Sequence, residues 1–329
     1  MNEPKEALGW EGREGSPNLG QSLSLLVAGH VVLDQIIDTP EQQLPRQELG
    51  GPISYSALTL GSLGHRCEVV TKVGYDFPSV YEKFLRFEAG VDVSGSVVPA
   101  FKTTSFKIDR TSTPRRMWLL ARCKPLTMQD FLPYIAQAAT RQTTLIINPV
   151  ANEISLSLME RLSKEFEPVL VDSQGFIRQI PRDRPGEVRI KNGIDISSLS
   201  GVDVLKADSK ELAGWTGSSD KERSIRLISK FVDVVLMSSG SGEVELYASG
   251  KLALRAEPLR VETNDTTGAG DILLASFASK FASKASLEES LAYSVAAASL
   301  SVRTRGVRKG LLDRDEVEMS AGQVRIQKM

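Results

Sequence analysis

Histidine and cysteine are scarce in this chain of 329 residues, with two of each. His30 and His65 have no Cys or paired carboxylate at ligand spacing, which argues against a zinc hydrolase and a Ser-His-Asp triad, so both read as structural. Cys67 and Cys123 stand too far apart to suggest a disulfide framework or a zinc site, and read as buried or half-buried free thiols. Excess charge is missing as well. Forty Lys plus Arg against 41 Asp plus Glu leave a formal net charge of -1, so no global field favours nucleic acid or an anionic membrane. No long apolar run occurs: the least polar stretch, Leu291 to Val302, is too short and serine-rich to cross about 30 Å of hydrocarbon. The opening residues, MNEPKEALGWEGREGSPNLGQ, are acidic and rich in Gly and Pro where a secretory leader needs a basic start and an apolar core. A cytoplasmic protein is expected. The first strand is followed by no G-x-G-x-x-G, Gly240-Ser241-Gly242 lacks the third glycine, and no Walker A string occurs, so dinucleotide oxidoreductases and P-loop kinases are disfavoured.

What is present is alternation. Buried-strand patterns at Ser22–Gly29, Cys67–Gly74, Thr143–Val150, Pro168–Gly175, Asp203–Asp208 and Asp233–Gly240 are separated by helical patterns such as ISYSALTLGSLG and SLSLMERLSKEF, which predicts an α/β fold with a mainly parallel central sheet between helices. Two stretches, about 31–49 and 97–120, alternate polar and apolar residues at a period of two. They predict antiparallel strands forming a small β-sheet lid over the ends of the parallel strands, where open α/β sheets bind ligands. The expected organisation is a flexible tail over 1–21, one domain over 22–315 and a C-terminal tail over 316–329.

The segment richest in chemistry is VETNDTTGAGDILLASFASKF, residues 261–281. Small residues Gly268, Ala269 and Gly270, directly before a long apolar segment, predict a loop opening into a helix N-terminus, where backbone N-H groups and the helix dipole favour an anion. Asp271 is out of place beside such a cradle unless it is a plain helix-start acid or a base. As a base it would accept a proton from a substrate hydroxyl while the cradle stabilises a transferring phosphoryl group.

Here the sequence resembles the ribokinase-like, or PfkB, carbohydrate kinases, whose signature reads close to Asp265-Thr266-Thr267-Gly268-Ala269-Gly270-Asp271. The resemblance runs from residue 23 to about 310. It implies an ATP- and magnesium-dependent kinase with Asp271 as catalytic base and Gly268, Ala269 and Gly270 as anion hole. It places Asp265 near a monovalent cation site, such as one for potassium, found in some members. It also implies substrate contacts at Asp34, Gly50, Gly51 and Tyr55. Asp208 and Glu211 fall where the family carries Asn-x-x-Glu, organising magnesium through water, and Ser239, Gly240 and Gly242 border the nucleotide together with Thr267 and Asp208. Lys72-Val73-Gly74-Tyr75-Asp76 matches the V-G-x-D turn.

Three departures stand out: Tyr55 replaces the usual Asn after Gly-Gly, Asp208 replaces Asn, and Ala275-Ser276 replaces Gly-Ala. With GHVVLD, GGPISYSAL, NPVANEI and VDSQGFIR, the chain is most similar to the archaeal myo-inositol 3-kinase branch. Read physically, Gln174 and Arg178 follow a predicted central strand and suit polyol hydroxyls and phosphate charge respectively, or form a solvated Gln and a salt-bridged Arg. Asn148 lines the same mouth or simply ends its strand. Arg115, Arg116 and the group Arg303, Arg305, Arg308 and Lys309 read as solvated charge, with contact to phosphates as the alternative. The resulting expectation is phosphorylation of a small polyol, myo-inositol first, with another sugar or nucleoside kinase, or a non-catalytic binding protein on this scaffold, as alternatives. Expected partners are polyol and nucleotide, with neither nucleic acid nor membrane. The free lid edges suggest a homodimer.

Overall fold

Side chains along each central strand divide between two helical layers, and that division organises the chain. In the computed structural model, which describes residues 23–112, 115–179, 186–240 and 242–329, Leu25 and Val27 face one core while Leu26 and Ala28 face another. Ile146, Leu170 and Val204 join the first side, and Leu145, Ile147, Val169, Val171 and Leu205 the second. Both faces of the sheet are therefore buried, which is why these strands read as continuous apolar runs. The expected tail over 1–21 lies outside the described residues.

Among the described residues the sheet has nine strands. Cys67–Val70, Ser24–Ala28, Thr143–Ile147, Val169–Asp172, Val202–Asp208 and Val232–Ser238 pair in parallel in that order. Val244–Ala248, Lys251–Ala256 and Ile326–Lys328 extend it antiparallel. The last strand corrects the expected C-terminal tail. Helix Arg314–Ala321 buries Val317, and Ile326–Lys328 pairs with Lys251–Ala256. A three-residue edge strand is too short to register as a period-two pattern, and its partner supplies its hydrogen bonds.

Among the described residues five strands form a second sheet, in the order Gly186–Glu187, Arg116–Ala121, Ser105–Asp109, Val32–Ile37, Arg46–Gly50. Three differences from expectation appear. Gly186–Glu187 comes from a third segment, and Val32–Ile37 pairs with Ser105–Asp109 in parallel. A hairpin reverses direction, but between these two strands the chain makes a helix-strand-helix excursion through the main layer, so nothing forces reversal. Val97–Val98 pairs instead with Val73–Gly74. The second sheet packs onto the first through a small core of Val32, Phe106, Ile108, Leu119, Val150 and Ala151. Among the described residues no helix is long and apolar enough to cross a membrane, and both cysteines are buried free thiols.

Candidate active site

The carboxyl ends of the parallel strands carry the expected polar residues. Asn148 follows Thr143–Ile147, Gln174 follows Val169–Asp172, Asp208 ends Val202–Asp208, and Ser239 follows Val232–Ser238. Opposite them lies helix Ala269–Ala282, whose residues from Asp271 to Ser279 are all buried. An apolar helix shielded on every side cannot slide, so its first turn is fixed against the strand ends.

Asp271, 8% exposed, is the meeting point. Its Oδ1 accepts hydrogen bonds from Asn148 Nδ2 and Gln174 Nε2, both at 3.1 Å, and among the described residues no hydrogen bond reaches Oδ2. Burial pushes the carboxyl up from its ordinary value, opposed by the Lys206 ammonium, the Asn148 amide and Arg178. A raised proton affinity suits a base that works near neutral pH. Before it, Gly268 caps the helix at φ 81°, a conformation glycine adopts without strain, and a Cβ there would meet the Tyr55 ring at 2.8 Å. A Cβ on Gly270 would meet Lys206 Nζ at 2.8 Å. The loop thus has Tyr55 beneath one end and an ammonium beneath the other.

Lys206 was not singled out by the sequence, although the one basic residue of the strand VDVLKAD, on the same face as Val204, is a signal. Its Nζ lies 2.8 Å from Asp172 Oδ2. Burial lowers its proton affinity, but Asp172, Glu211 and Asp271 overcome that and hold it above the ordinary lysine value. Three carboxyl groups crowd this ammonium, and burial raises the pKa of each of the three.

Arg178 stacks over the Phe106 ring at 5.9 Å and donates to Val150 O and to Gln174 Oε1, both at 3.0 Å. Asp34, 7% exposed, sits on the second sheet. Burial pushes its pKa to about 7 against the pull of Arg178, Arg115 and Arg110. Gly50 pairs across from Val32 with its α-carbon facing Asp34, where a Cβ would run into Asp34 Oδ2; Gly51 turns the chain into helix Pro52–Ser62. Burial, reinforced by Asp34, Asp265 and Asp271, raises the pKa of the Tyr55 phenol. The V-G-x-D turn ties down the base of the lid, as Asp76 accepts from the Thr103 amide at 2.7 Å.

Asp208 and Glu211 form a reciprocal cap on helix Ser209–Thr216: Glu211 N donates to Asp208 Oδ1 at 2.8 Å, and Asp208 N to Glu211 Oε2 at 2.9 Å. Ser173 also donates to Glu211 Oε2, at 2.7 Å. The loop Ser239, Gly240, Gly242 is exposed at the same edge, and no hydrogen bond of the described residues joins it to Asp271. Arg115 is exposed, in keeping with the solvated reading, and donates to Thr267 Oγ1 at 3.4 Å beside Arg110 at 3.0 Å. Arg116 pairs with Glu187 and covers Trp118.

Residues 22–314 match the model of the pfkB family of carbohydrate kinases. The chain belongs to this family. It is 27% identical to a ribokinase of Arabidopsis thaliana over 180 residues, 53% of this chain and 44% of that protein. It is 23% identical to the bifunctional protein HldE of Photobacterium profundum over 318 residues, 86% of this chain and 60% of that protein. The chain therefore spans roughly half of each of these curated relatives. Among solved structures, a pyrophosphate-dependent kinase in the ribokinase family, complexed with a pyrophosphate analog and myo-inositol, matches with a TM-score of 0.72 at 26% identity, over 90% of this chain and 99% of that one.

The chain thus has the ribokinase-like α/β fold within the pfkB family of carbohydrate kinases. ATP and magnesium are the expectation drawn from the sequence. Among the described residues no group of three or more His, Cys, Asp or Glu could hold a metal ion. Magnesium delivered with phosphates needs only one or two carboxylates. Asp208 Oδ2 and Glu211 Oε1 lie outside the capping bonds, so these residues fit that role through water.

The monovalent site expected at Asp265 is different. Lys309, read from sequence as solvated, has a side chain with 0% exposure and lies 3.1 Å from Asp265 Oδ2. Its neighbourhood in sequence, RTRGVRKG, looks like a surface run, whereas in the fold Gly310 packs close to Leu58 and the Tyr55 carbonyl.

Proposed function

We infer that this pfkB-family kinase transfers the γ-phosphoryl group of ATP to a hydroxyl of a small polyol, with myo-inositol as its substrate. The observation carrying this reading is the buried Asp271 carboxylate, bonded by two neutral amides on one oxygen, at the mouth of the Gly268–Gly270 loop. Asp271 takes the hydroxyl proton as that oxygen attacks the γ-phosphorus, and the bond from phosphorus to the β-phosphate bridging oxygen breaks to leave ADP. Amides at the start of helix Ala269–Ala282 stabilise the equatorial oxygens. Magnesium, when bound with the phosphates, neutralises their charge, and Asp208 and Glu211 would orient its water.

Support for a neutral polyhydroxyl substrate comes from the lining. Asp34, Asn148 and Gln174 offer acceptors and amide donors, Tyr55 and Arg178 flank them, and Gly50 and Gly51 let a ring approach backbone. Support for myo-inositol is Tyr55 after the glycine pair, the Gln174–Arg178 string, and the similarity to a solved kinase holding that compound. The same similarity favours a second donor, pyrophosphate, for which Arg110 and Arg115 at Thr267 would serve equally well. Association through the free edge at Arg46–Gly50 belongs to the same proposal.

The test is product formation from magnesium-ATP and, separately, from pyrophosphate across myo-inositol, its stereoisomers, ribose, fructose and nucleosides. Selective turnover of myo-inositol, reduced about 100- to 10,000-fold in Asp271→Asn with nucleotide binding retained, is the expected result. A different preferred acceptor would overturn the substrate assignment, and an active Asp271→Asn the assignment of the base.

A further inference from the structure

Lys309 lies in the short turn Val307–Gly310 and has no solvent-exposed side-chain surface. Its Nζ donates to the backbone carbonyl of Asp265 at 2.6 Å and faces Asp265 Oδ2 at 3.1 Å. Both partners therefore belong to the residue that opens the anion-hole loop. The remaining bonds of Asp265 run into that loop and onto the C-terminal segment. Its Oδ1 accepts from the Thr267 amide at 3.0 Å and lies 3.6 Å from Arg110 Nη2, Oδ2 accepts from the Gly306 amide at 3.4 Å, and its own amide donates to Val302 O at 3.2 Å. Burial raises the Asp265 pKa, but the Thr267 amide, Lys309 and Arg110 together bring it below the ordinary value, so it is a carboxylate.

A carbonyl oxygen and a carboxylate oxygen converging on one point are hard donors of the kind alkali ions take. Here a compact, tethered ammonium already occupies that point. A second cation would have to share it with a like charge in a buried setting. The donors at Asp265 therefore do not fit a free monovalent ion.

We propose that Lys309 is a built-in substitute for a monovalent cation, holding Asp265 and, through the Thr267 turn, the anion hole in working geometry, so that this enzyme needs no potassium, sodium or ammonium. Lys309 is a positioning residue, separated from the reacting atoms by Asp265 and Thr267. The inference rests on the reading of residues 267–271 as the anion hole. The melting measurement below requires no substrate, so its failure is distinguishable from failure of the substrate assignment.

The experiment compares wild type and Lys309→Met at constant ionic strength in tetramethylammonium, potassium, sodium and ammonium chloride, by thermal melting and by turnover with the preferred acceptor. Wild type should melt and turn over alike in all four, within about twofold. Lys309→Met should melt lower in tetramethylammonium chloride and lose on the order of 10- to 100-fold in kcat there, as an ill-formed anion hole does. Potassium or ammonium should raise both selectively. A merely structural ion pair would leave the variant folded but insensitive to which cation is present, and that outcome overturns the proposal. So does a wild-type enzyme activated severalfold by potassium over tetramethylammonium. If Lys309→Met fails to fold in every salt, the wild-type comparison decides.

Discussion

Gln174 Nε2 donates to Asp271 Oδ1 at 3.1 Å, and its orientation is set from behind by Arg178, whose Nη2 donates to Gln174 Oε1 at 3.0 Å. Arginine has only donors, so the glutamine must turn its oxygen to Arg178 and its NH2 to Asp271. A donor to a carboxylate favours the charged, proton-accepting form. Removing it in Gln174→Leu should therefore raise the Asp271 pKa, and the acid limb of the kcat profile should move to higher pH. An unmoved limb in a folded variant would separate Gln174 from the base.

Gly268 tolerates no side chain in two independent ways, its positive φ and the Tyr55 ring. Gly268→Ala should lower kcat by about 100- to 1,000-fold through a displaced anion hole. It should also cost roughly 1–3 kcal/mol of stability. Chemical denaturation and steady-state kinetics measure the two separately, and Tyr55→Ala in the same background should recover stability more than turnover.

Lys206 and Asp172 separate stability from chemistry. Lys206→Met leaves the fully buried Asp172 carboxylate unpaired, at a cost of about 3–5 kcal/mol. The double variant Lys206→Met with Asp172→Asn removes both charges and should regain most of that loss. Turnover should stay low in both, because the ammonium beneath Gly270 is gone; a double variant with near-normal kcat would show the pair to be purely structural.

Asp34 carries a pH signature. With its folded pKa at about 7 against 3.8 ordinarily, the native state keeps a proton that the unfolded chain has lost between those values. The stability it contributes is fully present below pH 3.8 and disappears as pH rises through about 7, by up to about 4 kcal/mol. Wild type should therefore lose stability relative to Asp34→Asn across that window, read as the difference in urea midpoint. Parallel curves would place the Asp34 carboxyl in water.

Much of this was legible in the sequence where information is local. Strand and helix alternation follows from apolar periodicity, and the loop before helix Ala269–Ala282 from a run of small residues. Asp271, Asn148 and Gln174 were recognisable as strand-end or helix-start polar residues, and the structure brings them within hydrogen-bond distance. Lys206 and Lys309 were missed for a common reason: one basic residue in a strand and one in a basic run are ambiguous until their carboxylate partners are placed. Lys206 meets Asp172 from 34 positions away, and Lys309 meets Asp265 from 44.

What the sequence by itself determined is the order of the elements, the two buried faces of the main sheet and the chemical types at its carboxyl edge, since each depends on neighbours within a few residues. Only the tertiary structure decided the parallel pairing of Val32–Ile37 with Ser105–Asp109, the docking of Ile326–Lys328 as a ninth strand, and the charge partners beneath the anion hole. Those depend on where long connections return the chain, and ionisable groups acquire their partners and proton affinities only once burial has fixed which charges face one another.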